Sequence, residues 1–149
     1  MPKAIIRAIS PRMNECELTH LEREEINISR AIFQHEQYVK TLIELNCDIL
    51  QAEPAPEFAD SVFVEDCAIV LDEMAIITLP GAESRRGEVN GIQKVLTPHR
   101  RLFQILSPGI LDGGDVLVIG KKIWVGLSFR SNLEAVKQFI HLVYIHILL

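Results

Sequence analysis

The sequence predicts an α/β protein assembled from repeated modules, and two observations carry that prediction. Residues 66–71 (DCAIVL), a turn at Asp72 and Glu73, and residues 74–78 (MAIIT) have the pattern of a β-hairpin. Residues 115–120 (DVLVIG), Lys121 and Lys122, and residues 123–127 (IWVGL) repeat it, with Asp66 aligned on Asp115 without a gap. The second observation is a helix after each hairpin. Ser84 and Arg85 open a helix that runs to about Leu96, and Arg130 and Ser131 open one through Leu142 or beyond. A strand–turn–strand–loop–Arg–helix unit of roughly 45 to 50 residues therefore occurs twice, with residues 3–53 as a looser first copy. Modules of this kind bury their faces only against neighbours.

Taken in order, Ile5, Ile6 and Ile9 mark a first strand, followed by an irregular stretch from Ser10 to Glu17. Two helix starts compete after it: Thr19 with Glu22 as a capping box, or Asn27 as an N-cap. Leu21, Ile28, Ile32, Val39 and Leu42 recur at helical spacing, so residues 27–46 form an amphipathic helix with Asn46 as its C-cap. A strand resumes over residues 48–53, and Pro54 and Pro56 punctuate a loop.

That loop leads into the most unusual stretch of the chain, residues 60–66 (DSVFVED), where three carboxylates flank a short apolar run. Val62, Phe63 and Val64 predict the start of a strand. On a strand Asp60 and Asp66 share a face, while Glu65 needs a bend to join them. Two readings fit. The acids line a solvated loop, as Asp and Glu usually do, or they are carried toward the core, where a planar guanidinium with several N–H donors compensates them. Arg85 and Arg130, each at a predicted helix start, oppose the helix macrodipole, which calls for an anion partner. Trp124 is expected in the core and His35 at its edge; Gly113 and Gly114 form a turn.

Composition narrows the class. The 149 residues carry a formal net charge of −5 and are 48% hydrophobic. The isoelectric point near 5.5 and the lack of a Lys/Arg cluster argue against nucleic acid as a partner. Cys16, Cys47 and Cys67 have no metal-ligand spacing, and no metal or cofactor is expected. An odd cysteine count without a signal-peptide pattern reads as reduced thiols in a cytoplasmic protein. The apolar ending, residues 139–149, is too short to span a bilayer, so no membrane association is expected.

Four blocks together resemble a known family: residues 59–66 (ADSVFVED), 76–88 (IITLPGAESRRGE), 111–116 (LDGGDV) and 126–132 (GLSFRSN). In this order and spacing they look like dimethylarginine dimethylaminohydrolase, of the guanidine-modifying (pentein) superfamily. Residues 18–21 (LTHL) and 34–38 (QHEQY) match its N-terminal part, so the resemblance covers about residues 3–138. It implies a partial α/β propeller (pentein) with about three of five ββαβ modules, leaving residues 139–149 as an apolar tail outside the family pattern.

The resemblance also implies roles. Asp60, Glu65 and Asp66 would hold the guanidinium of a methylated arginine; Arg85 and Arg130 would clamp its α-carboxylate; Leu18 would sit in a closing lid. Asp112 would orient a catalytic histidine. In the family a cysteine thiolate attacks the guanidinium carbon, methylamine or dimethylamine leaves, and water releases citrulline. The family's histidine and cysteine come later than this sequence reaches, so the resemblance implies a C-terminally truncated member, inactive alone. His141 falls within a predicted helix, and Cys67, beside carboxylates, lacks the setting of a nucleophile. Two alternatives are a non-catalytic binder of arginine-like ligands, alone or as a partner subunit, and an arginine deiminase-like hydrolase. The uncovered apolar end predicts self-association.

Overall fold

Asn27 decides where the first helix begins. In the computed structural model, which describes residues 1–18 and 21–147, its side chain accepts a hydrogen bond from the Arg30 N–H at 2.9 Å. That is N-capping geometry, and helix α1 follows as Ile28–Glu44. The competing start at Thr19 lies outside the described residues. Leu45 closes α1, and Asn46 after it takes a left-handed φ of 60°, a conformation asparagine tolerates better than most residues. Strands β1 (Lys3–Ile6) and β2 (Asp48–Gln51) flank the helix and pair in parallel, Lys3 opposite Asp48 and Ile6 opposite Gln51. A parallel pair needs such a crossover. These elements belong to one compact unit, residues 1–64. Ile32, Phe33, Tyr38 and Ile43 of α1 remain exposed. Leu21, expected on the helix, precedes it.

The acidic stretch departs from its expected form. No strand forms at Val62–Val64; Asp60–Val62 are turns and Val64–Cys67 is a 3-10 turn. Its bonds are local, the Phe63 N–H to the Asp60 carbonyl and the Val64 N–H to that of Val62, both at 2.9 Å. The β-propensity of the Val-Phe-Val run yields to these turns, as strand propensity does when context opposes it. The consequence is a sorting of side chains: Asp66 and Cys67 are buried, while Glu65 is exposed.

The second compact unit, residues 65–149, holds the two hairpins. Strand β3 (Ala68–Val70) pairs antiparallel with β4 (Met74–Ile77); helix α2 (Val89–Leu96) then leads to β5 (Arg101–Gln104), which pairs parallel with β4. Strands β6 (Val116–Ile119) and β7 (Lys122–Val125) form the second hairpin, and α3 (Leu133–Ile147) follows. Gly120, with φ +57°, makes the tight turn. The expected repeat is therefore present. Strand β5 had no sequence signal.

Both helices start later than the sequence suggests. Glu83–Arg85 form a 3-10 turn and α2 begins at Val89; Arg130 lies in a bend ahead of α3. The Arg85 N–H bonds the Ala82 carbonyl and the Glu88 N–H bonds the Arg85 carbonyl, so the arginine sits in a run of i→i+3 bonds. Val89, Ile92 and Leu96 bury one face of α2. The core of this unit gathers Ile69, Met74, Ile76, Ile105, Leu111, Ala135 and Phe139. Ile123 and Val125 pack on it, so strand alternation turns Trp124 outward, and this residue is not the core residue expected. The expected tail is part of α3: Phe139, Leu142 and Val143 face the core, while Ile140, Tyr144 and Ile145 are exposed. Leu148 and Leu149 lie outside the described residues. Among the described residues no helix is long and apolar enough to cross a membrane.

Candidate functional site

In the first unit the structure brings two expected site residues close in the chain's path. Asp60 is buried, and its Oδ2 accepts the Glu17 N–H at 3.0 Å. Leu18, the next residue, is exposed. The carboxylate that was expected to face a ligand thus also anchors the start of the expected lid. Ser61 is buried beside it, its carbonyl accepting from Arg7 Nη1 at 3.3 Å.

In the second unit Asp66, Arg85, Asp112 and Arg130 converge. The 3-10 turn at Val64–Cys67 points Asp66 inward. Its Oδ2 accepts from Arg85 Nη1 at 2.7 Å and its Oδ1 from the Gly114 N–H at 3.0 Å. The sequence reading has Asp66 and Arg85 gripping opposite ends of one ligand; the structure has them bonded to each other. Glu88, which the sequence reading missed, completes the arrangement. Its carboxylate receives Arg85 Nε at 3.2 and 3.3 Å and Nη2 at 2.9 Å, a side-on bidentate pairing. The available signal was an acid three residues after an arginine. Burial opposes the Arg85 charge, but the hydrogen bonds to Glu88 and then Asp66 outweigh it and hold its pKa above the ordinary value.

Asp112 is fully enclosed. Its Oδ1 accepts the Gly81 N–H at 3.0 Å, and its own N–H donates to Ser131 Oγ at 3.1 Å. Its Oδ2 has no hydrogen-bond partner and lies 3.5 Å from Arg130 Nε. Burial raises its pKa, against the lowering effect of the Gly81 bond, with Asp66 adding to the rise. Arg130 is the more exposed of the two arginines, its side chain 41% accessible against 5% for Arg85.

Gly113 and Gly114 are required by close approach rather than by φ. A Cβ on Gly113 would run into the Glu65 carbonyl, and one on Gly114 would stand 2.7 Å from Asp66 Oδ1. The turn is thus seated directly on the acidic segment, with Glu65 contributing backbone here and its side chain exposed. Asp115 Oδ2 accepts from Ser128 Oγ and Ser131 Oγ, both at 2.6 Å, bracing the loop that carries Arg130. Cys67 is completely buried, and His141 sits on an exposed position of α3. Among the described residues no group of three His, Cys, Asp or Glu side chains is placed to hold a metal ion.

Hairpin–helix modules around a buried carboxylate–arginine cluster are those of a partial α/β propeller of the pentein fold. The solved N-terminal domain of ArgZ, an arginine dihydrolase from cyanobacteria, supports the fold alone, with a TM-score of 0.74 at 19% identity over 93% of this chain and 54% of that one. The family model described as N,N dimethylarginine dimethylhydrolase, eukaryotic, matches residues 3–147, and the chain belongs to this family. It is 42% identical over 137 residues to the N(G),N(G)-dimethylarginine dimethylaminohydrolase of Streptomyces coelicolor, covering 91% of this chain and 53% of that protein. The citrulline-bound mutant of the Pseudomonas aeruginosa dimethylarginine dimethylaminohydrolase superposes with a TM-score of 0.90 at 33% identity, over 95% of this chain and 56% of that one. The chain spans about half the length of the curated relatives it matches.

Proposed function

We propose that this chain carries the substrate-holding part of a dimethylargininase-type hydrolase, one that converts an N-methylated arginine to citrulline and methylamine or dimethylamine. The observation that carries the proposal is the buried Asp66, fixed at both oxygens by Arg85 and Gly114. A carboxylate held this rigidly presents its remaining lone pairs in a set direction, which suits a planar guanidinium. In this reading Glu65 joins Asp66 at the guanidinium, and Asp60 and Leu18 keep, within the first unit, the guanidinium-holding and lid roles that the family resemblance implies. Arg130, the more exposed of the two arginines, takes the α-carboxylate, and Arg85 contributes from within while seated on its two acids. Asp112, with an oxygen lacking a donor, is the group that would orient a proton-transferring histidine.

Cys16 and Cys67 are buried and Cys47 lies just past the end of α1, and none is assigned as nucleophile. The 149-residue polypeptide alone is therefore expected to form no citrulline above background from methylarginine or arginine. Citrulline formation that disappears in Cys67→Ala would overturn that assignment. The three cysteines stand as thiols, which supports a cytoplasmic setting. Calorimetry with N-methylarginine tests the binding site. Asp66→Ala is expected to weaken binding by about 2–5 kcal/mol, because the ligand's charge loses its partner. Equal affinity for wild type and variant would leave the acids as a structural cluster only. Tighter binding of arginine than of its methylated form would favour a deiminase-like substrate.

A further inference from the structure

Asp66 faces an electrostatic problem if it is to receive a guanidinium. It is already bonded to one, Arg85, at 2.7 Å. A single carboxylate beside a single arginine is a neutral pair with little attraction left for a second cation. Glu88 changes that count. It is buried, three residues from Arg85, and takes the Nε edge of the guanidinium in the bidentate mode. Two carboxylates around one arginine leave the trio with one negative charge.

The second repeat supplies an internal comparison. Arg130 occupies the place of Arg85, but the residue three positions on is Leu133. Arg130 is not drawn inward; its side chain is 41% accessible, and its Nε stands 3.5 Å from Asp112. The arginine followed by the acid is seated and buried, and the arginine followed by leucine is not.

We propose that Glu88 is a positioning and charge-setting residue of the substrate site. It seats Arg85 so that Nη1 fixes Asp66, and it supplies the charge that leaves Asp66 able to attract a cationic guanidinium. Glu88 touches no substrate in this scheme and acts through Arg85. The inference rests on the proposed substrate-holding role.

The test compares a cationic ligand with its neutral isostere. N-methylarginine and citrulline share the α-amino acid end and differ at the group Asp66 would receive. Calorimetry on the full chain is run for wild type, Glu88→Gln and Glu88→Asp. Glu88→Gln keeps the shape and removes the charge, and is expected to lower N-methylarginine affinity about tenfold or more while citrulline affinity changes less than about threefold. Glu88→Asp keeps the charge and is expected to restore the preference for the cation. Equal loss of both ligands in Glu88→Gln would make Glu88 merely structural and overturn the inference, with the substrate-holding reading intact. If wild type binds neither ligand, that reading falls and the inference with it. If Glu88→Gln gives no cooperative thermal transition, Glu88→Asp decides: a folded variant that has lost the preference for the cation refutes the role.

Discussion

Replacing Asp66 with asparagine isolates the charge at the centre of the cluster. The two side chains have the same shape, but both partners of Asp66, Arg85 Nη1 and the Gly114 N–H, are donors. Asparagine has one acceptor oxygen and one donor NH2, so it can satisfy only one of them. The other donor then faces an NH2 group in a site where the side chains are 5% and 12% accessible. Losing a charge-assisted bond costs about 1.5–3 kcal/mol, and a buried donor left unsatisfied costs about 1–3 kcal/mol. Arg85 keeps Glu88 as a counter-charge, so the larger penalty of an uncompensated buried ion does not apply. The expected destabilisation is about 3 kcal/mol, which lowers Tm on the order of 10 °C. Thermal unfolding followed by circular dichroism, with no ligand present, measures it. A shift under about 2 °C would mean that the Asp66–Arg85 pair does not form in solution.

Other consequences are as direct. Gly113→Ala drives a methyl group into the Glu65 backbone carbonyl, which a side-chain rotation cannot relieve; a loss of about 2–4 kcal/mol is expected in denaturant titrations. Gly120→Ala meets no atom but keeps a φ of +57°, and about 1 kcal/mol is expected. Asp112 has a folded-state pKa above its ordinary 3.8, so its ionisation opposes folding. That penalty is absent below the ordinary value and grows as pH rises through the folded-state pKa. Asp112→Asn should therefore raise Tm relative to wild type at pH 7, with the difference shrinking toward pH 3; a variant less stable at pH 7 would count against it. Ile140, Tyr144 and Ile145 are exposed on α3, and sedimentation at micromolar concentration should detect self-association that the double variant Ile140→Lys/Ile145→Lys abolishes. A wild-type monomer at that concentration would refute this.

Local signals made α1 and the two hairpins legible in the sequence. Helical spacing and an N-cap at Asn27 need nothing beyond their own segment, and a turn between apolar runs is equally local. Strand β5 was not legible because Arg101 and Gln104 bracket only Leu102 and Phe103; its strand character comes from pairing with β4. The chemistry of the acidic segment was legible but its conformation was not, since turn bonds overrode its β-propensity. Arg85 stood out because an arginine at a helix start needs an anion. The helix start is four residues later, yet the anions exist, and they are the protein's own. Glu88 left one signal, an acid three residues after an arginine, which gains its meaning once Arg85 is known to turn inward. The tie between Asp60 and the segment leading to Leu18 is a backbone bond from Glu17, which leaves no trace in residue identity.

The segment Asp112–Asp115 explains why the cluster needs both hairpin modules. Asp112 holds Gly81 through its side chain and Ser131 through its N–H. Gly113 and Gly114 lie against Glu65 and Asp66, and Asp115 holds Ser128 and Ser131. Four consecutive residues thus touch the turn carrying Asp66, the loop leading to Arg85 and the loop carrying Arg130. This joint holds the module that carries Asp66, Arg85 and Glu88 against the module that carries Arg130. Distance errors are costly here, because a charge-assisted bond weakens quickly once its geometry is lost. The two glycines let the backbone approach closely, and the two aspartates on either side fix the distance at which it stops. A side chain at either glycine would separate the modules before it disturbed any charge, so substitutions of Gly113 or Gly114 should lose stability and ligand affinity together.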